Sequence, residues 1–240
     1  HGAGTLAPDD VGPDGSVGMY KFNVVDYRPL LRASLINLDK WTTDDILPPP
    51  SSCPRISDGT AIKPEVLIDK VNKVLDMNTP DPEKVWLIRR VDMGERAHEG
   101  IGRFPAEEFE TYQNFVSNID DDGNETGGIR LPDLTVPLGS HFGWNLRHPD
   151  TKEPDQQIAM QGISIFFETS KENRENKSDN RLSIQERYQS KEEFIDKVKE
   201  ETNKLLQQNY IIKDDFDIVV EACEERYDVL ISGKLKNEDK

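Results

Sequence analysis

The chain opens His1-Gly2-Ala3-Gly4, a histidine followed by glycines. Two chemistries use such a stretch. Its backbone N–H groups can line an oxyanion hole, or its imidazole can take the proton of a nucleophilic hydroxyl and return it to a leaving group. The first role requires a nucleophile elbow later in the chain, and no G-x-S-x-G occurs in the 240 residues. A P-loop, a G-x-G-x-x-G and an H-E-x-x-H are missing as well. The sequence by itself therefore carries no complete catalytic set.

Three other groups of residues invite a chemical reading. The stretch Gly139–Pro149, GSHFGWNLRHP, sets Phe142, Trp144 and Arg147 beside two glycines. Such side chains line a pocket or stack on a ligand, or else they bury a loop against the core. The acidic run Asp120–Glu125, DDDGNE, resembles the start of a calcium loop, but Gly123 stands one place early and the flanks read as strands. A tight turn is the better expectation. The four histidines, His1, His98, His141 and His148, are scattered with no i, i+4 pair, which predicts loop or surface positions and no metal site. Cys53 and Cys223 lack metal-ligand spacing and read as two unrelated thiols in preference to one long-range disulfide.

The elements that must position these groups follow from periodicity and caps. Residues 1–18, rich in Gly, Pro and Asp, read as an irregular loop. Asp26 is a good N-cap, and Leu31, Leu35, Leu38 and Trp41 recur at helical spacing, so an amphipathic helix is predicted over 27–44, with Pro48–Pro50 barring its continuation. Asp58-Gly59 marks a turn, and a shorter helix fits 64–75. KVWLIRRVDMG is a strand candidate, and residues 111–139 read as a hairpin turning at Asp121–Asn124. ISIFFETS fits strand or helix, and 171–180 reads as a charged loop. Ser183 with Glu186 and Ser190 with Glu193 fit capping boxes. Phe194, Val198, Leu205 and Leu206 then stripe one helix, and a last helix, capped by Asp214, runs to Gly233.

Composition narrows the classes. A net charge of −16 argues against nucleic acid or an anionic membrane surface as partner, since both require a basic footprint. No run of 18 apolar residues exists to span a membrane. Residues 1–20 have neither the basic start nor the apolar stretch of a signal peptide; localisation stays open, export included.

Three stretches, VDYRPLLRASLINLDKWTTDDILPPPSSCPRISDGT, DDDGNETGGIRLPDLTVPLGSHFGWNLR and DNRLSIQERYQSKEEFIDKVKEETNKLL, together resemble a family of large bacterial alpha/beta hydrolase domain proteins. In such hydrolases the triad runs Ser…Asp/Glu…His, the histidine coming last, on a loop before a terminal helix. The resemblance implies that His1 falls on the triad histidine, with the serine and acid upstream. Its implied fold is α/β: residues 1–50 end an α/β-hydrolase domain, with its histidine loop and terminal helix, and residues 51–240 form a mixed α+β extension with C-terminal helices. The implied function is that of a serine hydrolase of ester or related acyl bonds, inactive without the upstream core of the same polypeptide, with a small-molecule acyl substrate and no cofactor. His141 and Phe142 depart from the small or hydroxyl-bearing residues that the resemblance leads one to expect there. Two alternatives stand beside it: a non-catalytic structural or interaction module, and an inactive hydrolase-like scaffold. If a sheet is missing from this chain, the 27–44 helix should expose an apolar face.

Overall fold

The computed structural model describes residues 4–12, 14–84 and 87–233. In chain order its elements are α1 (Arg28–Asp44), β1 (Ala61–Ile62), α2 (Pro64–Val74), β2 (Arg89–Asp92), β3 (Glu107–Thr111), β4 (Val116–Ser117), α3 (Pro132–Thr135), β5 (Gly139–Phe142), β6 (Ile163–Phe166), α4 (Lys171–Asn176), α5 (Ile184–Arg187), α6 (Lys191–Gln207) and α7 (Phe216–Ser232). Helix and strand are thus mixed, and the strands form three antiparallel pairs: β1 with β4, β2 with β3, and β5 with β6.

β5 and β6 stand at the centre. ISIF is a strand, paired in register so that His141 faces Ser164 and Phe142 faces Ile163. Residues 17–24 run beside it as an irregular third strand. Met19 N–H donates to the Leu146 carbonyl (2.8 Å), Asn23 N–H to the Gly162 carbonyl (2.9 Å), and Phe22 bridges Ile163. Gly162 permits this crossing, because a Cβ there would lie 2.2 Å from the Phe142 carbonyl oxygen.

Three apolar clusters surround this centre. The largest joins α5, α6 and α7 through Ile184, Tyr188, Phe194, Val198, Val220, Cys223, Tyr227 and Leu230. Phe194 is its hinge point, with ring centroids 5.0 Å from both Tyr188 and Tyr227. A second gathers Val71, Ile119, Phe142 and Ile163, and a third Leu131, Leu205 and Ile211.

Several local expectations hold. Ser183 and Glu186 form a complete capping box, and the Glu186 carboxylate, gripped by Arg174 and then by Ser183, titrates at about 2. Ser190 accepts from Glu193 N–H, but the Glu193 carboxylate accepts from Gln189 N–H, so the second box is only half made. Gly233 ends α7 with φ of 70°.

Others need correction. Residues 171–176 are a helix, because the Ser170 hydroxyl accepts from Asn173 N–H and Arg174 pairs with Glu186; a charged stretch without apolar periodicity hid it. Asp214 does not cap α7, since a 3-10 turn over Lys213–Asp215 puts Asp215 at the cap position and commits its carboxylate to Arg32. In α1 the cap position is Tyr27, one residue on, although Asp26 still accepts from Arg28 N–H (3.0 Å). The expected hairpin over 111–139 is also replaced. β3 pairs back to β2, β4 pairs back to β1, and across the acidic turn only one bridge, Ile119 to Glu125, remains. Val85 and Trp86 of the strand candidate lie outside the described residues, and the strand itself is Arg89–Asp92.

α1 packs by the face opposite its leucines. Pro29 and Ala33 are its buried residues, Arg32 pairs with Asp215 and Asn37 donates to the Asn209 carbonyl. Leu31, Leu35, Leu38 and Trp41 are 53, 66, 50 and 47 % exposed.

Candidate functional site

The acidic turn is where chemistry and fold meet. Asp120 Oδ1 accepts the N–H groups of Asp122 (3.1 Å) and Asn124 (2.9 Å), while its Oδ2 accepts from Arg130 (2.7 Å). Asp122 pairs with Arg187. Gly123, at φ of 83°, supplies the left-handed step of the turn. Asn124 is fully buried and acts as a piece of strand: its amide donates to the Gly139 carbonyl (3.0 Å) and accepts from His141 N–H (2.9 Å). Asp120 and Asp122 are therefore held by arginines and backbone, and the turn serves to clamp the edge of β5. Among the described residues, no three His, Cys, Asp or Glu side chains converge on one point.

His141 is not at the surface. It is 4 % exposed, because β6, the 23–25 segment and α3 enclose the strand that carries it. Its Nδ1 lies 2.8 Å from Ser164 Oγ, and Val24 N–H also donates to that oxygen (3.0 Å). With one lone pair occupied and no other acceptor nearby among the described residues, the Ser164 hydroxyl donates to Nδ1, which leaves the proton of the neutral ring on Nε2. Burial holds the imidazole down to about 4, reinforced by Arg226 and Arg181 and opposed by Asp133.

This serine–histidine pair is not a nucleophile and its base. Ser164 is buried, receives a backbone N–H, and does not line the adjoining cavity. Among the described residues, no carboxylate is hydrogen-bonded to the ring. The cavity itself, about 300 Å³, is lined by Leu30, Ile129, Leu131 and Leu134 with His141, Glu125 and the edge of Phe142 among its other walls. Burial raises the Glu125 carboxyl above its ordinary value, against a hydroxyl contact from Ser117.

The sequence-derived candidates fall in different places. His1 lies outside the described residues. Phe142 and Trp144 pack together, ring centroids 5.5 Å apart, in the second apolar cluster. Arg147 is exposed, its backbone bridged to Gly18 and its N–H donating to the Gln156 carbonyl. His98 is exposed, and His148 turns its ring to accept from Asp150 N–H (3.2 Å). Cys53 is exposed and Cys223 buried, both free thiols. The cavity residues His141 and Glu125 were not singled out as site residues. The available signal was alternation in GSHF opposite ISIF, which puts every second side chain on one face of a strand.

The sequence model of one family, described as an alpha/beta hydrolase domain, matches residues 5–221. The chain belongs to the alpha/beta hydrolase domain family. A hydrolase-type function goes with that description. No curated protein and no solved structure matches the chain. The family's match crosses residue 50 without a break, as do the hydrogen bonds that tie residues 19–24 to 146 and 162–164. Among the described residues of this alpha/beta hydrolase domain no parallel strand pair occurs, and no helix is long and apolar enough to cross a membrane.

Proposed function

We propose that this chain is the C-terminal part of a serine hydrolase of ester or related acyl bonds, and that it is inactive alone. In this reading His1 is the general base. A serine nucleophile, an Asp or Glu that orients His1, and backbone N–H donors for the oxyanion come from a hydrolase core earlier in the same polypeptide. Residues 1–50 complete that core, residues 51–240 form the extension, and Phe142, Trp144 and Arg147 border the acyl substrate.

The observation that carries the reading is the exposed leucine face of α1 in a chain of this family. Leu31, Leu35 and Leu38 project from a helix that is already anchored by its other side. An apolar stripe of that kind fits a sheet laid over it. The absence of a G-x-S-x-G supports the same arrangement.

The test is hydrolysis of p-nitrophenyl butyrate. The 240-residue chain should show none, and in a longer polypeptide containing the core, His1→Ala should lower turnover about 10,000-fold or more. Turnover by the chain alone, or an unaffected His1→Ala enzyme, overturns the proposal. Trp144→Ala examines the pocket role: a shift in chain-length preference supports it, and a loss of stability alone assigns Trp144 to packing.

One observation favours the reading as an interaction module. In the ribbon of β2 and β3 every residue is exposed, and Phe104 between them is 98 % exposed. A lone two-stranded ribbon is marginal in water and gains from a surface to lie on. Deleting residues 88–112 from the longer enzyme separates the two readings. Unchanged kinetics with lost assembly supports the module, and a raised KM for bulky esters supports a lid.

A further inference from the structure

The cavity beside His141 has a composition that its walls alone do not explain. Five aliphatic side chains line it, yet four that can hydrogen-bond, Asn23, Tyr27, Glu125 and His141, border the same space of about 300 Å³. That volume is at the small end of ligand sites, and a few polar groups set in an apolar wall is how such sites fix orientation. The imidazole Nε2 makes no hydrogen bond among the described residues. The His141 ring forms part of the cavity wall. The Glu125 carboxylate lies at the other polar wall, where a Cβ on Gly143 would sit 3.4 Å from its Oε1.

We propose that this cavity binds a small amphiphile whose polar end pairs a carbonyl acceptor with an N–H donor, a primary amide being the simplest. The carbonyl accepts from His141 Nε2–H, the N–H donates to Glu125, and the alkyl tail lies along Leu30, Ile129, Leu131 and Leu134. Ser164 fixes the donor, since its hydroxyl holds Nδ1 and so keeps the proton on Nε2. The remaining charged groups around the ring, Asp133, Arg226 and Arg181, are engaged with one another or with β5, β6 and Asp179. The site is independent of the serine-hydrolase reading, because it needs no nucleophile and no turnover.

Hexanamide and 2-heptanone test it, since the two differ only in an amide NH2 against a methyl group. Titrated into the full chain and followed by NMR and calorimetry, hexanamide should bind saturably with a dissociation constant of about 1 mM or tighter. It should move the His141 ring resonances. 2-Heptanone, which keeps the carbonyl and loses the donor, should bind about tenfold more weakly. Leu134→Trp fills the cavity and should abolish binding with the fold retained. The absence of saturable binding to the unmodified chain overturns the site, as does binding that leaves the His141 resonances unmoved. Equal binding of the ketone overturns the role of Glu125. Should Leu134→Trp fail to fold, the His141 shift in the unmodified chain decides alone.

Discussion

α1 and α6 are both 17 residues long and both carry apolar residues at helical spacing, yet they are used differently. In α6 the stripe Phe194, Val198, Leu205 is buried against α5, α7 and their neighbours. In α1 the corresponding stripe points outward, and the helix is held by Pro29, Ala33, Arg32 and Asn37. Periodicity states which face of a helix favours removal from water. It does not state whether the surface that removes it lies within the same chain. For α6 the cover is α7, which follows within ten residues, so the pairing is local. For α1 the described residues supply cover only to the opposite face.

The largest expected difference between the two helices is in packing. Phe194→Ala empties the centre of the aromatic stack with Tyr188 and Tyr227 and should cost about 3–5 kcal/mol, read from denaturant midpoints. A loss below about 1 kcal/mol would show that α6 is no better packed than α1.

The central strand pair offers a second measure, in pH. The His141 imidazole is neutral when folded, held at about 4 against an ordinary 6.5. Between those values the unfolded chain binds the proton and the folded chain does not. Stability from this group is therefore full above about pH 6.5 and is lost as pH falls toward 4, at up to about 1.4 kcal/mol per unit. His141→Asn should flatten that part of the profile. An equally steep acid loss in the variant would assign it to other groups.

The smallest effect is expected on α1. Leu35→Glu in this chain should change stability by no more than about 0.5 kcal/mol, because the side chain is already in water. In a longer polypeptide containing the proposed core, the same change should destabilise by about 2 kcal/mol or more, since a charge would then be buried without a partner. Equal, small effects in both would end the idea that this face is covered.

The sequence by itself determined the elements whose causes are local. α2 follows from Pro64 and its apolar spacing, the start of α5 from the Ser183–Glu186 box, the end of α7 from Gly233, and the acidic turn from Gly123 and its flanking Asp and Asn. The three motifs also sufficed to indicate the alpha/beta hydrolase domain family, which the match over residues 5–221 bears out. Strand partners were beyond it. β2–β3 and β1–β4 close over long loops, and a strand of two to five residues says nothing of which edge it meets. The same holds for the buried polar groups. Asn124 standing in for a strand, Ser164 setting the His141 tautomer, and Glu125 beside them come from three separate stretches. Their chemistry arises from desolvation and from hydrogen bonds across the fold, and only tertiary structure brings both together.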